Sequence, residues 1–129
     1  MLDHVGLAVS DLARSRAFYE AALAPLGFAV HAEVAAAVNS SGGDAVGFGA
    51  PNDPFFWIGD NERVGEGNHI AFRAEDRAAV DAFHAAALAA GGTDHGAPGL
   101  RPHYHPNYYA AFVLDPDGFN VEAVCHKPA

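Results

Sequence analysis

Three residues offer the most distinct chemistry in this sequence: His4, His69 and Glu122. His4 and His69 stand at matching positions of two similar segments, and each opens a short apolar run. Glu122 sits inside the apolar run Asn120-Val121-Glu122-Ala123-Val124-Cys125. Side chains alternate between the faces of a strand, so Asn120, Glu122 and Val124 share one face and Val121, Ala123 and Cys125 the other. Both faces hold apolar residues, so at least one polar side chain must point into buried space. A carboxylate there is costly unless it is paired or bound to a cation. Two imidazoles and one carboxylate make up the donor set of a 2-His-1-carboxylate triad, which binds a divalent metal and leaves positions open for substrate. Taken singly, each residue reads more simply as a satisfied strand histidine or a solvated glutamate. The pairing of the two histidines brings the ligand reading level with the plain one for both. Glu122 joins them only where the fold brings all three together.

A second dense stretch is Arg101-Pro102-His103-Tyr104-His105-Pro106-Asn107-Tyr108-Tyr109. An imidazole can take and give a proton under physiological conditions, so His105 and His103 are the candidate proton carriers. Arg101 is suited to hold a substrate carboxylate, and Tyr104, Tyr108 and Tyr109 to line an aromatic pocket, with Trp57 as a further wall or core residue. The plain alternative is a surface loop stiffened by two prolines. His31, His84, His95 and His126 have no partner of the same type in the repeat and read as structural or surface residues. Cys125 reads as a small buried hydrophobe.

Positioning these groups falls to an internal repeat. The segment starting at His4, HVGLAVSDLARSRAFYEAALAPLG, aligns without a gap on the one starting at His69, HIAFRAEDRAAVDAFHAAALAAGG. Ten of 24 positions are identical, and the His, Asp, Phe, Leu and Gly matches are harder to obtain by chance than the alanines. Each copy begins with an apolar strand, Val5 to Val9 or Ile70 to Ala74. An acid follows, Asp11 or Asp76, placed to cap the next helix. Pro25 and Gly27 stop the first helix; Gly91 and Gly92 stop the second. Further strands are expected over Phe28 to Val34, Ala45 to Gly49, Phe55 to Ile58, Tyr108 to Leu114 and Phe119 to Cys125, with a weak one near Thr93. Loops fall at Ser40 to Gly43 and Ala50 to Pro54, and Asp115-Pro116-Asp117-Gly118 suits a type I turn. The chain therefore reads as one domain of two tandem βαβββ modules, residues 1–64 and 65–129, joined by the short Gly65 to Asn68.

Composition narrows the partners. Of 129 residues half are hydrophobic and 18% charged, which suits one globular domain. The net charge of −9 opposes binding to nucleic acid or to an anionic membrane surface. A single cysteine excludes an internal disulfide and a CxxC site, and a single lysine, Lys127, excludes a phosphate loop of the GxxxxGK type. The start carries Asp3 and no basic run, so a cytoplasmic protein is expected.

The opening His4-Val5-Gly6-Leu7, the second opening His69-Ile70-Ala71-Phe72 and the ending Asp115-Pro116-Asp117-Gly118-Phe119-Asn120-Val121-Glu122 resemble the vicinal oxygen chelate superfamily. That group holds glyoxalase I, extradiol dioxygenases, fosfomycin-resistance proteins and bleomycin-binding proteins. The resemblance covers nearly the whole chain. It implies an α+β fold whose paired modules form a curved mixed sheet around a cavity, and it puts His4, His69 and Glu122 on three of the family's metal-ligand positions. The implied activity is that of a metal-dependent lyase or dioxygenase, with Fe, Mn, Zn or Ni bound, acting on a small substrate with adjacent oxygens. The alternative the resemblance offers is a metal-free protein of the bleomycin-resistance type that binds a drug or aromatic compound. A homodimer is expected. Two departures stand out. The strand Phe55-Phe56-Trp57-Ile58 lacks the fourth ligand of glyoxalase I, and Phe112 stands where an extradiol dioxygenase has a tyrosine.

Overall fold

The computed structural model describes residues 2–39, 42–60, 63–65 and 68–129. Parts of the expected Ser40 to Gly43 loop and Gly65 to Asn68 join lie outside these. The element order is β1 (Val5–Ala8), α1 (Leu12–Leu23), a short 3-10 turn (Ala24–Leu26), β2 (Ala29–Val34), β3 (Ala45–Ala50) and β4 (Asp53–Gly59). Then come β5 (His69–Arg73), α2 (Arg77–Ala89), β6 (Thr93–Leu100), β7 (Tyr109–Leu114) and β8 (Asn120–Cys125). The strands form two four-stranded sheets of identical topology, β1-β4-β3-β2 and β5-β8-β7-β6. In each, the opening strand pairs parallel to the last strand of its module. The tandem βαβββ architecture is thus present, as two mixed sheets with one helix each.

Local chemistry explains the elements. Asp11 and Asp76 cap α1 and α2 by accepting the backbone N–H of Arg14 and Ala79, at 3.1 and 2.8 Å. Gly27 ends the first helical segment with φ +87°, a conformation that favours glycine. The eight-residue β6 is longer than the sequence suggests. It carries Gly96, Pro98 and Gly99, which weaken a strand signal, and its register with β7 shifts at Gly96. It lies at a sheet edge, where a proline removes no essential ladder bond.

One core joins both modules. Phe18, Tyr19 and Leu23 of α1 are buried with Phe48 of β3 and Phe56 and Ile58 of β4, and Val80, Phe83 and Ala87 of α2 with Val113, Val121 and Ala123. Phe72 of β5 crosses between the modules, with its ring 5.2 Å from Phe56 and 6.3 Å from Phe28. Cys125 is a buried member of this core. Among the described residues, no helix is long and apolar enough to cross a membrane.

The turn before β8 adds a polar clasp. Asp115, 4% exposed, accepts the Tyr19 hydroxyl at 2.7 Å and the N–H groups of Asp117 and Phe119 at 2.8 Å each. Burial raises the Asp115 pKa, and the three hydrogen bonds pull against that rise. A carboxyl whose pKa is raised by folding contributes stability below its unfolded value, and this is lost as pH climbs through the folded value. Asp115→Ala should strand three donors and cost roughly 3 kcal/mol. Asp115→Asn keeps an acceptor for the two N–H groups, so it should cost less and flatten that acid-range dependence. Urea denaturation from acidic to neutral pH measures both.

Candidate functional site

The site lies on the face of the second sheet that points away from α2. The register sets Ala71 of β5 and Phe112 of β7 beside Glu122 of β8, and His69 beside Asn120. Glu122 is 2% exposed, the most deeply buried acid of the described chain. Its Oε1 is 3.0 Å from His69 Nε2, and its Oε2 accepts the Tyr108 hydroxyl at 2.5 Å. These residues, with Tyr104, His105 and Phe112, line an open cavity of about 500 Å³.

The tautomer of His69 follows from its partners. Nδ1 lies 3.0 Å from the Asn120 carbonyl oxygen, which only accepts, so Nδ1 carries a proton. Nε2 is left to face an oxygen of Glu122, also an acceptor. That contact needs a second proton on the ring, a proton on the carboxyl, or a cation between the two. A ring N–H held by a carbonyl, with the other nitrogen beside a carboxylate, is the arrangement of a metal-ligating histidine with its supporting bond. His69 and Glu122 therefore fit a divalent cation as neighbouring ligands.

Tyr108 is the other working group. Burial, and then the Glu122 carboxylate, push its phenol up to about 12. Phe112 has no hydroxyl; Tyr108, four residues earlier in the chain, presents one to Glu122. Period-two alternation through 108, 110 and 112 was the available signal, since it puts Tyr108 and Phe112 on one face.

The other expected site residues are placed as follows. His4 is on the first sheet, in a separate hollow with Gly6 and Trp57, and its exposed ring bonds Asp3 at 2.6 Å. Among the described residues, no three His, Cys, Asp or Glu side chains of one chain converge as a metal site. One copy thus brings together two of the three expected ligands. Trp57 shares the His4 hollow, donates its indole N–H to the Pro54 carbonyl at 3.2 Å and packs where a Cβ on Gly47 would fall 2.9 Å from its ring. Tyr109 faces α2, with its hydroxyl on Asp81 at 2.6 Å and the Arg77 guanidinium over its ring, so it does not line the cavity. Arg101 is engaged within its own strand and loop: it donates to the carbonyls of Gly99 and Ala97 and covers the Phe112 ring. His103 is exposed and packs on Tyr104. His105 lines the cavity, with both ring nitrogens engaged, by the Asn107 N–H and by His126.

Two βαβββ modules with an imidazole and a buried carboxylate on adjacent strands define a class of small α+β proteins built by duplication. The family model described as the Glyoxalase/Bleomycin resistance protein/Dioxygenase superfamily matches residues 1–123, and the chain belongs to that superfamily. Among solved structures, a glyoxalase/bleomycin resistance protein from Albidiferax ferrireducens T118 is 34% identical over 99% of both chains, with a TM-score of 0.76. Glyoxalase I from Zea mays is 28% identical with a TM-score of 0.71; the match takes in 96% of this chain and 45% of that one. No curated protein matches the sequence.

Proposed function

We propose that this protein is a metal-dependent lyase or dioxygenase of the vicinal oxygen chelate type, acting on a small substrate with adjacent oxygens. The observation that carries the reading is the buried Glu122 carboxylate facing Nε2 of a histidine whose Nδ1 is committed to a carbonyl. His69 and Glu122 would hold the ion, and His4 of a second copy would complete the set in a homodimer; within one chain His4 lies in a different hollow. When bound, the ion supplies Lewis acidity toward two neighbouring substrate oxygens. The protein does the rest. Tyr104 and Phe112 give the cavity its aromatic walls. Tyr108 presents its phenol O–H to Glu122 at the edge of the cavity. The ion's identity, Fe, Mn, Zn or Ni, follows from which one the donor set retains.

The test is an anaerobic calorimetric titration of metal-stripped protein with each ion, for wild type and His69→Ala. The proposal predicts tight binding by wild type and a loss of roughly 100-fold or more in the variant. Equal, weak binding by both would remove the metal site. One observation favours the alternative, a metal-free binder of an aromatic compound: both Glu122 oxygens already have partners, beside aromatic walls. Full-strength binding of an aromatic ligand after exhaustive chelation would establish it.

A further inference from the structure

His105 and His126 form a contact that the proposed chemistry does not use. His105 Nε2 and His126 Nδ1 are 2.8 Å apart, the ring centroids are 5.1 Å apart, and the planes lie within 24°. An imidazole nitrogen sits about 1.1 Å from its ring centroid, so a linear N–H···N bond of this length predicts centroids about 5.0 Å apart. The rings therefore lie end to end and nearly coplanar. Their lone pairs point at each other, which suits a shared proton and not a chelated ion, whose ligand lone pairs must converge.

The direction of that bond is fixed by a third group. The backbone N–H of Asn107 donates to His105 Nδ1 at 3.1 Å. A backbone N–H cannot accept, so Nδ1 of His105 is the lone-pair nitrogen and the ring proton sits on Nε2, donated to His126. His126 is exposed and lies just beyond β8, the strand that carries Glu122. The Tyr108 ring stands edge-on to both imidazoles, at 5.4 and 5.3 Å, and its hydroxyl ends on Glu122. One imidazole–imidazole bond thus ties the loop between β6 and β7 to the end of β8, with Tyr108 held against the joint.

We infer that His126 is a positioning residue: it accepts the Nε2 proton that the Asn107 contact leaves on His105, and latches the loop so that the Tyr108 hydroxyl reaches Glu122. This deepens the reading of the Glu122 cavity as the working site, and rests on it for its purpose. It reassigns His105 from proton carrier to latch, since neither of its nitrogens is free toward the cavity.

The test is nuclear magnetic resonance on the full chain labelled with 15N, in mildly alkaline solution. In wild type, long-range 1H–15N correlations should place the His105 proton on Nε2. A far-downfield hydroxyl proton should report the Tyr108–Glu122 bond. His126→Ala should leave the His105 proton on Nε2, where the Asn107 N–H keeps it, and abolish the downfield signal. His126→Asn, whose Oδ1 stands where Nδ1 was and accepts the same proton, should restore that signal. A wild-type His105 protonated on Nδ1, a missing hydroxyl signal in wild type, or a hydroxyl signal that survives His126→Ala would each overturn the inference. A cavity that binds neither cation nor ligand would leave these resonances in place, so failure of the functional reading is seen separately.

Discussion

Glu122→Gln is expected to weaken binding of a divalent cation by more than about 100-fold, roughly 3 kcal/mol, while leaving the fold intact. The substitution preserves volume in a site that is 2% exposed, so no void opens. The amide can also satisfy both neighbours: its oxygen accepts the Tyr108 hydroxyl, and its NH₂ donates to His69 Nε2. What disappears is the negative charge and the second lone-pair oxygen, the two properties a hard or borderline cation needs. Glu122→Ala is the contrasting case. It leaves the Tyr108 hydroxyl without an acceptor and His69 Nε2 without a partner, and opens a hole under the sheet, so it should lower stability as well as affinity. Calorimetric titration for affinity and thermal denaturation for stability separate the two effects. A large drop in melting temperature for Glu122→Gln would mean that the carboxylate serves the fold rather than a ligand.

Phe72→Ala should cost roughly 3–5 kcal/mol, as other large-to-small core changes at aromatic sites do. For a chain of this length that corresponds to a fall of about 10–20 °C in melting temperature. Phe72 belongs to the second sheet, yet its ring is among Phe28, Phe55 and Phe56 of the first module. Its loss therefore acts on the seam between the modules. Urea denaturation followed by Trp57 fluorescence, which reports the first module, and by far-ultraviolet circular dichroism, which reports both, should give one coincident transition at lower urea. Two separated transitions would show that the modules fold independently and that the shared core couples them weakly.

The repeat made the topology legible because each copy reuses the same cues: an opening histidine, an aspartate cap and a glycine stop. Both sheets follow one strand order as a result. The burial of Glu122 was legible from its apolar neighbours on both strand faces. Four features were less so. β6 was legible only as a weak strand near Thr93, because Gly96, Pro98 and Gly99 mask a strand that only its edge position permits. The Tyr108–Glu122 bond depends on the β7–β8 register, which alternation narrows to a face but does not fix. The His105–His126 bond joins residues 21 apart across a loop, and no local pattern reports it. The placement of His4 is a matter of how sheets pack. Repeat symmetry relates His4 to His69 within their own sheets and says nothing of the distance between the sheets.

Mixing two defective variants tests the central claim most directly. His4→Ala keeps His69 and Glu122, and Glu122→Gln keeps His4, so each alone should bind a divalent cation weakly. If the site forms between two copies related by a twofold axis, random exchange of subunits makes about half the dimers mixed, each with one intact site of two. Tight binding should then return at about one site for every four chains. A mixture that stays as weak as its two components would contradict a site shared between His4 of one copy and the His69–Glu122 pair of the other.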